Sequence, residues 1–82
     1  MKRDEIGRAL RDLLERQEEI DVDIESITED TRIDGIGFNS LSILDFMYEV
    51  ETRFGVPMEV ADLVEMEVVR DLIDHLEAKL AR

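Results

Sequence analysis

Apolar residues recur at the spacing of one helical face in three separate stretches of this 82-residue chain, and that periodicity points to a small helical fold. In the first stretch, Ile6, Ala9, Leu10, Leu13 and Leu14 predict a helix over about residues 3–17, with Asp4 and Glu5 in the first turn, where the dipole favours acids. In the second, Ile43, Met47, Val50 and Phe54 form an apolar stripe that predicts a helix over residues 40–54. Leu41, Leu44 and Tyr48 are expected to widen that stripe, with Ser42, Asp45, Glu49 and Thr52 on the opposite, polar side. Asn39 is the expected N-cap, while Gly55 and Pro57 mark the end. In the third, Val69, Leu72, Ile73, Leu76 and Leu80 predict a helix over about residues 68–80, finished by the cations Lys79 and Arg82. A short helix is expected between these, over residues 60–64.

The expected architecture is all-α: one domain over residues 1–82, a small bundle of three longer helices and one short one, with a long loop between the first two. A chain this short supports one compact core but no deep cleft between lobes. The loop, residues 18–39, loses the helical period and is acidic. Ile20, Val22, Ile24 and Ile27 are expected to pin it across the helices, and Ile33, Ile36 and Phe38 to anchor its end. Gly35 and Gly37 supply backbone freedom just before the second helix. A connection of this length in a compact domain is often functional. Its stretch Asp21-Val22-Asp23-Ile24-Glu25 has the start of a calcium loop, but Ser26 stands where the sixth-position Gly is needed and Arg32 where the twelfth-position Glu is needed.

Charge narrows the function. Asp and Glu number 22 against 10 Lys and Arg, a formal charge of −12. Phosphate-mediated nucleic-acid binding and attraction to anionic lipid both need the opposite sign, whereas an acidic surface steers a protein toward basic patches on other proteins. There is no cysteine, so thioester chemistry would need a thiol from outside the polypeptide. His75 has no second histidine or cysteine with which to hold a metal, and is expected to be a packing residue at the edge of the last helix. No apolar run is long enough to span a membrane and the N-terminus has no signal-peptide pattern, so a cytoplasmic monomer is expected. The chain begins with Met and spans little beyond this pattern, which suggests a free-standing protein. Self-activated catalysis by Ser40 is set aside, because it has no adjacent base and no hydrolase elbow surrounds it.

A serine at a helix start lies near unpaired amides, and a phosphodiester attached there would place negative charge at the positive end of the dipole. The stretch Gly37-Phe38-Asn39-Ser40-Leu41, leading into the second helix, resembles the phosphopantetheine attachment motif of acyl carrier proteins, commonly Gly, any residue, Asp, Ser, Leu. Asp45 stands at an acidic position of that family's recognition helix, Glu51, Phe54 and Gly55 match its usual end, and Val56-Pro57 match the residues just beyond that helix. The resemblance covers nearly the whole chain.

It implies a non-catalytic carrier whose Ser40 bears 4'-phosphopantetheine, with Gly37, Asn39 and Leu41 supporting the motif. A separate phosphopantetheinyl transferase would supply the arm from coenzyme A with Mg²⁺, the Ser40 oxygen attacking the pyrophosphate. The arm would hold acyl groups as thioesters and present them to loading enzymes, acyltransferases or ketosynthases with basic patches. Asp45, Glu49 and Glu51 become partner-recognition candidates, and Leu44, Met47, Tyr48, Val60, Leu63 and Val69 candidates for an acyl-chain cleft.

The departures are Asn39 where Asp is usual, Ser42 at a frequently acidic position, the bulky Phe38, and a longer stretch after Pro57. They lean toward polyketide or related specialised biosynthesis rather than fatty acid synthesis. An aminoacyl or peptidyl carrier ranks lower, because Phe38-Asn39 stand where a second Gly is common in such carriers. A cofactor-free acidic adaptor is the other alternative.

Overall fold

Four α-helices form in the computed structural model, which describes residues 2–17 and 23–81, with Ser40 described by its backbone. They are α1 (Arg3–Glu15), α2 (Ser40–Phe54), α3 (Val60–Val64) and α4 (Val69–Leu80). The bounds of α2 and α3 match the sequence expectation. α1 stops two residues short of its expected end, and Val68 is the N-cap of α4 rather than its first residue. The fold is the expected all-α bundle, with no strand among the described residues and a single isolated bridge, Arg32 to Val68.

The core is built where three apolar faces meet. Ile6, Ala9, Leu10, Leu13 and Leu14 of α1 pack with Phe46, Met47, Val50 and Phe54 of α2 and with Leu72, Ile73 and Leu76 of α4. Val56 and Met58, between α2 and α3, close one side. α2 ends because Gly55 takes φ 67°, ψ 26°, a left-handed conformation open to glycine, and its N–H bonds the Glu51 carbonyl at 2.8 Å. The Glu51 carboxylate then accepts the Met58 N–H at 2.9 Å and holds the turn between α2 and α3.

The long loop is anchored by backbone groups as much as by side chains. Ile27 and Ile36 are buried, and Ile24, Ile33 and Phe38 pack against the core, as expected; Ile20 and Val22 lie outside the described residues. Two 3₁₀ turns, Ile24–Ser26 and Ile33–Gly35, give the loop local order. Asp23, from the calcium-loop-like stretch, caps the first of them by accepting the Glu25 N–H at 3.1 Å, while Asp21 lies outside the described residues.

The start of α4 supplies the loop's partner. Free amides of that helix reach back: Val69 N–H bonds the Thr31 carbonyl at 2.9 Å and Arg70 N–H the Glu29 carbonyl at 2.8 Å. In return Ile33 N–H bonds the Glu67 carbonyl at 2.9 Å. The orphan donors of a helix N-terminus are thereby satisfied by a segment some forty residues upstream in the chain. Two ion-pair sets reinforce the junction. Arg70 pairs with Asp30 at 2.7 Å. Arg3 reaches Glu29 at 2.6 Å, Asp74 at 2.5 Å and Glu77 at 3.1 Å, tying the start of α1 to both the loop and α4.

Asp71 completes the α4 cap by accepting the N–H groups of Glu67 (2.9 Å) and Val68 (3.2 Å). These bonds favour the ionised form and hold its carboxyl below the usual carboxylate range. A lowered folded-state value means the contribution is full above the unfolded value, near about pH 4, and is lost as pH falls through the folded value. Asp34, held down by its hydrogen bond to Arg32, acts with the same sign. Asp71→Asn is therefore expected to flatten the fall in urea midpoint between roughly pH 4 and pH 2. Parallel profiles for wild type and variant would show that the cap is not a source of acid sensitivity.

Candidate functional site

Ser40 is the first residue of α2, and the turn before it is set by local chemistry. Gly37 has φ 102°, where an L side chain is strained. Asn39 is extended (φ −101°, ψ −178°), and its side-chain oxygen accepts the N–H groups of Leu41 (2.9 Å) and Ser42 (2.8 Å). The Ser42 hydroxyl answers by accepting the Asn39 N–H at 2.8 Å, and it lies 3.3 Å from the Asn39 carbonyl as donor. This reciprocal capping box fixes the chain on both sides of Ser40. It also corrects the placement of Ser42: the residue is buried under the cap and does not lie on the outer polar side of α2.

The other correction concerns the apolar residues of α2. Met47, Val50 and Phe54 face the core as expected, and Phe46 joins them. Leu41, Leu44 and Tyr48 do not widen the buried face; Leu41 is 79 % exposed and Tyr48 67 %. They follow one another at i, i+3 and i+7 and form an outward stripe that starts beside Ser40. Val60 and Val64 of α3 are exposed as well. Sequence reasoning missed this outward face because α2 carries apolar residues around most of its circumference, so spacing alone does not choose which are buried.

The acidic candidates divide. Asp45 is exposed and makes no hydrogen bond or ion pair among the described residues. Glu49 accepts from the Gln17 side-chain amide at 3.1 Å, linking α2 to the end of α1. Glu51 staples the turn after Gly55.

The cleft candidates divide too. Leu63 and Val69 line a small apolar cavity of about 20 Å³, together with Leu10, Leu14, Ile43 and Phe46. Met47 is buried in the core, and Leu44, Tyr48 and Val60 stand in solvent. Phe38, bulky beside the serine, folds back over this cavity and stacks on Phe46 with ring centroids 5.0 Å apart. The space is about that of one water molecule, so an aliphatic chain would enter only by parting these side chains. A larger groove of about 440 Å³ lies between α1, residues 27–29 and α4, away from the residues that flank Ser40. His75 is half-buried on α4, and its Nε2 is shielded without a hydrogen-bond partner among the described residues.

The site fits an anionic attachment. Ser40 begins a 15-residue helix whose dipole favours negative charge there, and no acid occupies the first turn. No group of His, Asp or Glu capable of holding a metal is present among the described residues, and no described helix is long and apolar enough to cross a membrane.

Comparison with known proteins agrees with this geometry. The family described as "Phosphopantetheine attachment site" matches residues 8–76. The chain is 33 % identical over 79 residues to the acyl carrier protein of Thermotoga maritima, covering 95 % of each chain. It is 32 % identical over 76 residues to the acyl carrier protein MbtL of a Mycobacterium species, covering 92 % of this chain and 83 % of the relative. Against the acyl carrier protein of Coprothermobacter proteolyticus it is 28 % identical over 81 residues, covering 98 % and 96 %.

Proposed function

The chain belongs to the phosphopantetheine-attachment family of acyl carrier proteins, and from that premise we propose that Ser40 bears the arm and that the outward face of α2 delivers its cargo to partner enzymes. The observation that carries the reading is the placement of Ser40 at the first position of α2, inside a capping box and beside an exposed apolar stripe. The family's 4'-phosphopantetheine, bound covalently, supplies the thiol that this cysteine-free chain lacks and on which an acyl group is held as a thioester.

Everything else the chain contributes is positioning. Asn39 and Gly37 fix the backbone that presents Ser40. Leu41, Leu44 and Tyr48, with Val60 and Val64 on α3, offer apolar contact to an acyl-transfer enzyme, and Asp45 offers a carboxylate to a cation on the same enzyme. Charge complementarity with basic patches favours fast encounter at a formal charge of −12. The neutral Asn39 and Ser42, at positions where the family is commonly acidic, support service in polyketide or related specialised biosynthesis.

The test is intact mass after incubation with a broad-specificity phosphopantetheinyl transferase, coenzyme A and Mg²⁺. The wild type is expected to gain the mass of one phosphopantetheine, and Ser40→Ala, with the same far-ultraviolet circular dichroism, is expected to gain nothing. A gain in Ser40→Ala would move the attachment elsewhere. No gain in folded wild type with an active transferase would favour an unmodified acidic adaptor.

A further inference from the structure

Phe38, two positions before Ser40, closes the core on the side of the attachment residue. Its ring packs on that of Phe46 with centroids 5.0 Å apart and planes tilted by 33°. Phe46 is buried and Phe38 half-buried, so Phe38 is the outer ring of the pair. Both rings line the cavity of about 20 Å³, to which all four helices contribute: Leu10 from α1, Ile43 from α2, Leu63 from α3 and Leu72 from α4. Every residue that lines it is apolar, so the space suits hydrocarbon and neither water nor charge. The chain is fixed on either side of the ring. Gly37 stands at φ 102°, and the Asn39 side-chain oxygen is tied to the N–H groups of Leu41 and Ser42.

We infer that Phe38 is a specificity-determining residue: its ring stoppers the apolar core against an acyl chain carried on Ser40, and the cargo stays outside, along the exposed stripe of Leu41, Leu44 and Tyr48. This rests on Ser40 being the attachment residue. The volumes carry the inference. A dry apolar cavity that takes up a molecule the size of benzene measures about 150 Å³, and the space behind Phe38 is far smaller. A phenyl ring is itself the size of such a guest, so the side chain of Phe38 fills the room that the end of an acyl chain would need. The outward stripe, in contrast, is open without any rearrangement, since Leu41 follows Ser40 directly and is 79 % exposed.

The consequence is a dependence on acyl chain length that a ring serving only to pack the core would not produce. Wild type, Phe38→Ala and Phe38→Leu are loaded from acetyl- and hexanoyl-coenzyme A with a broad-specificity phosphopantetheinyl transferase, each product is verified by intact mass, and thermal unfolding is followed. In the wild type the acetyl and hexanoyl forms are expected to melt within about 2 °C of each other, because the added methylenes stay in solvent. Unmodified Phe38→Ala should melt about 5–15 °C below unmodified wild type, as a partly buried ring is lost. Its hexanoyl form should then recover about 6–12 °C over its acetyl form, the effect of burying two methylenes in so small a domain. Phe38→Leu, which opens less space, should lose less and recover less. Hydroxylamine cleavage gives a second readout: hexanoyl thioester should be cleaved on the wild type as fast as on free pantetheine, and several-fold more slowly on Phe38→Ala.

A hexanoyl gain in the wild type as large as in Phe38→Ala would overturn the inference while leaving Ser40 as the attachment residue, since the ring would then be no barrier. Folded variants that show neither recovery nor slowed cleavage would overturn it as well, because Phe38 would be core packing and nothing more. Where Phe38→Ala folds poorly, Phe38→Leu decides by the same criteria. No mass gain in folded wild type would overturn the attachment assignment and the inference together.

Discussion

Leu76→Ala is expected to lower the melting temperature by roughly 10–30 °C, the largest loss of stability from a single truncation in this fold. Leu76 has no exposed surface, and with Ile6 and Val50 it is among the most completely buried side chains, one from each of the three long helices. Removing a leucine from such a position loses its transfer free energy and leaves a cavity, together about 3–5 kcal/mol. A domain of this length holds about 4–12 kcal/mol in all, so most of the margin would go. Leu44→Ala is the control: the same change on the exposed side of α2 should cost less than about 0.5 kcal/mol. Two-state thermal unfolding followed by circular dichroism reads both. A fall of less than about 4 °C for Leu76→Ala would mean that the three helices do not share a single core.

Tyr48→Ala should separate delivery from folding. Its side chain is two-thirds exposed and makes no contact on which the core depends, so the melting temperature should stay within about 3 °C of wild type. If the outward stripe of α2 is where partner enzymes dock, an exposed tyrosine is the type of residue that carries interface energy, and its loss costs about 2 kcal/mol. That converts to about 30-fold in kcat/KM for the acyl-loading enzyme that charges the wild type. Asp45→Asn should act more gently, slowing encounter and weakening its salt dependence, because an exposed charge contributes mainly to association rate. Unchanged kcat/KM in Tyr48→Ala would move the docking surface off α2, and the exposed pair Val60 and Val64 on α3 would become the next place to look.

The sequence by itself determined where the helices lie and where they stop. Ile6 through Leu14 repeat at helical spacing, Asn39 caps, Gly55 terminates, and α2 and α3 fall where the spacing places them, because these signals act within one turn of the residues that carry them. It also pointed to the family, since Gly37-Phe38-Asn39-Ser40-Leu41 stands at a helix start in a short, acidic chain with the spacing of four helices. Three features were settled only in three dimensions. The inward side of α2 depended on which apolar residues found partners: Phe46 met Phe38, while Leu41, Leu44 and Tyr48 stayed in solvent. Glu51 took on a structural task because the turn after Gly55 brings the Met58 N–H within 2.9 Å. The docking of residues 29–33 on the start of α4 runs through backbone N–H and C=O groups, which nearly every residue possesses and which therefore leave no mark on composition or spacing. Local order is written in side-chain type and interval, whereas the choice among chemically equivalent faces and backbone partners is made only when distant segments compete for the same core.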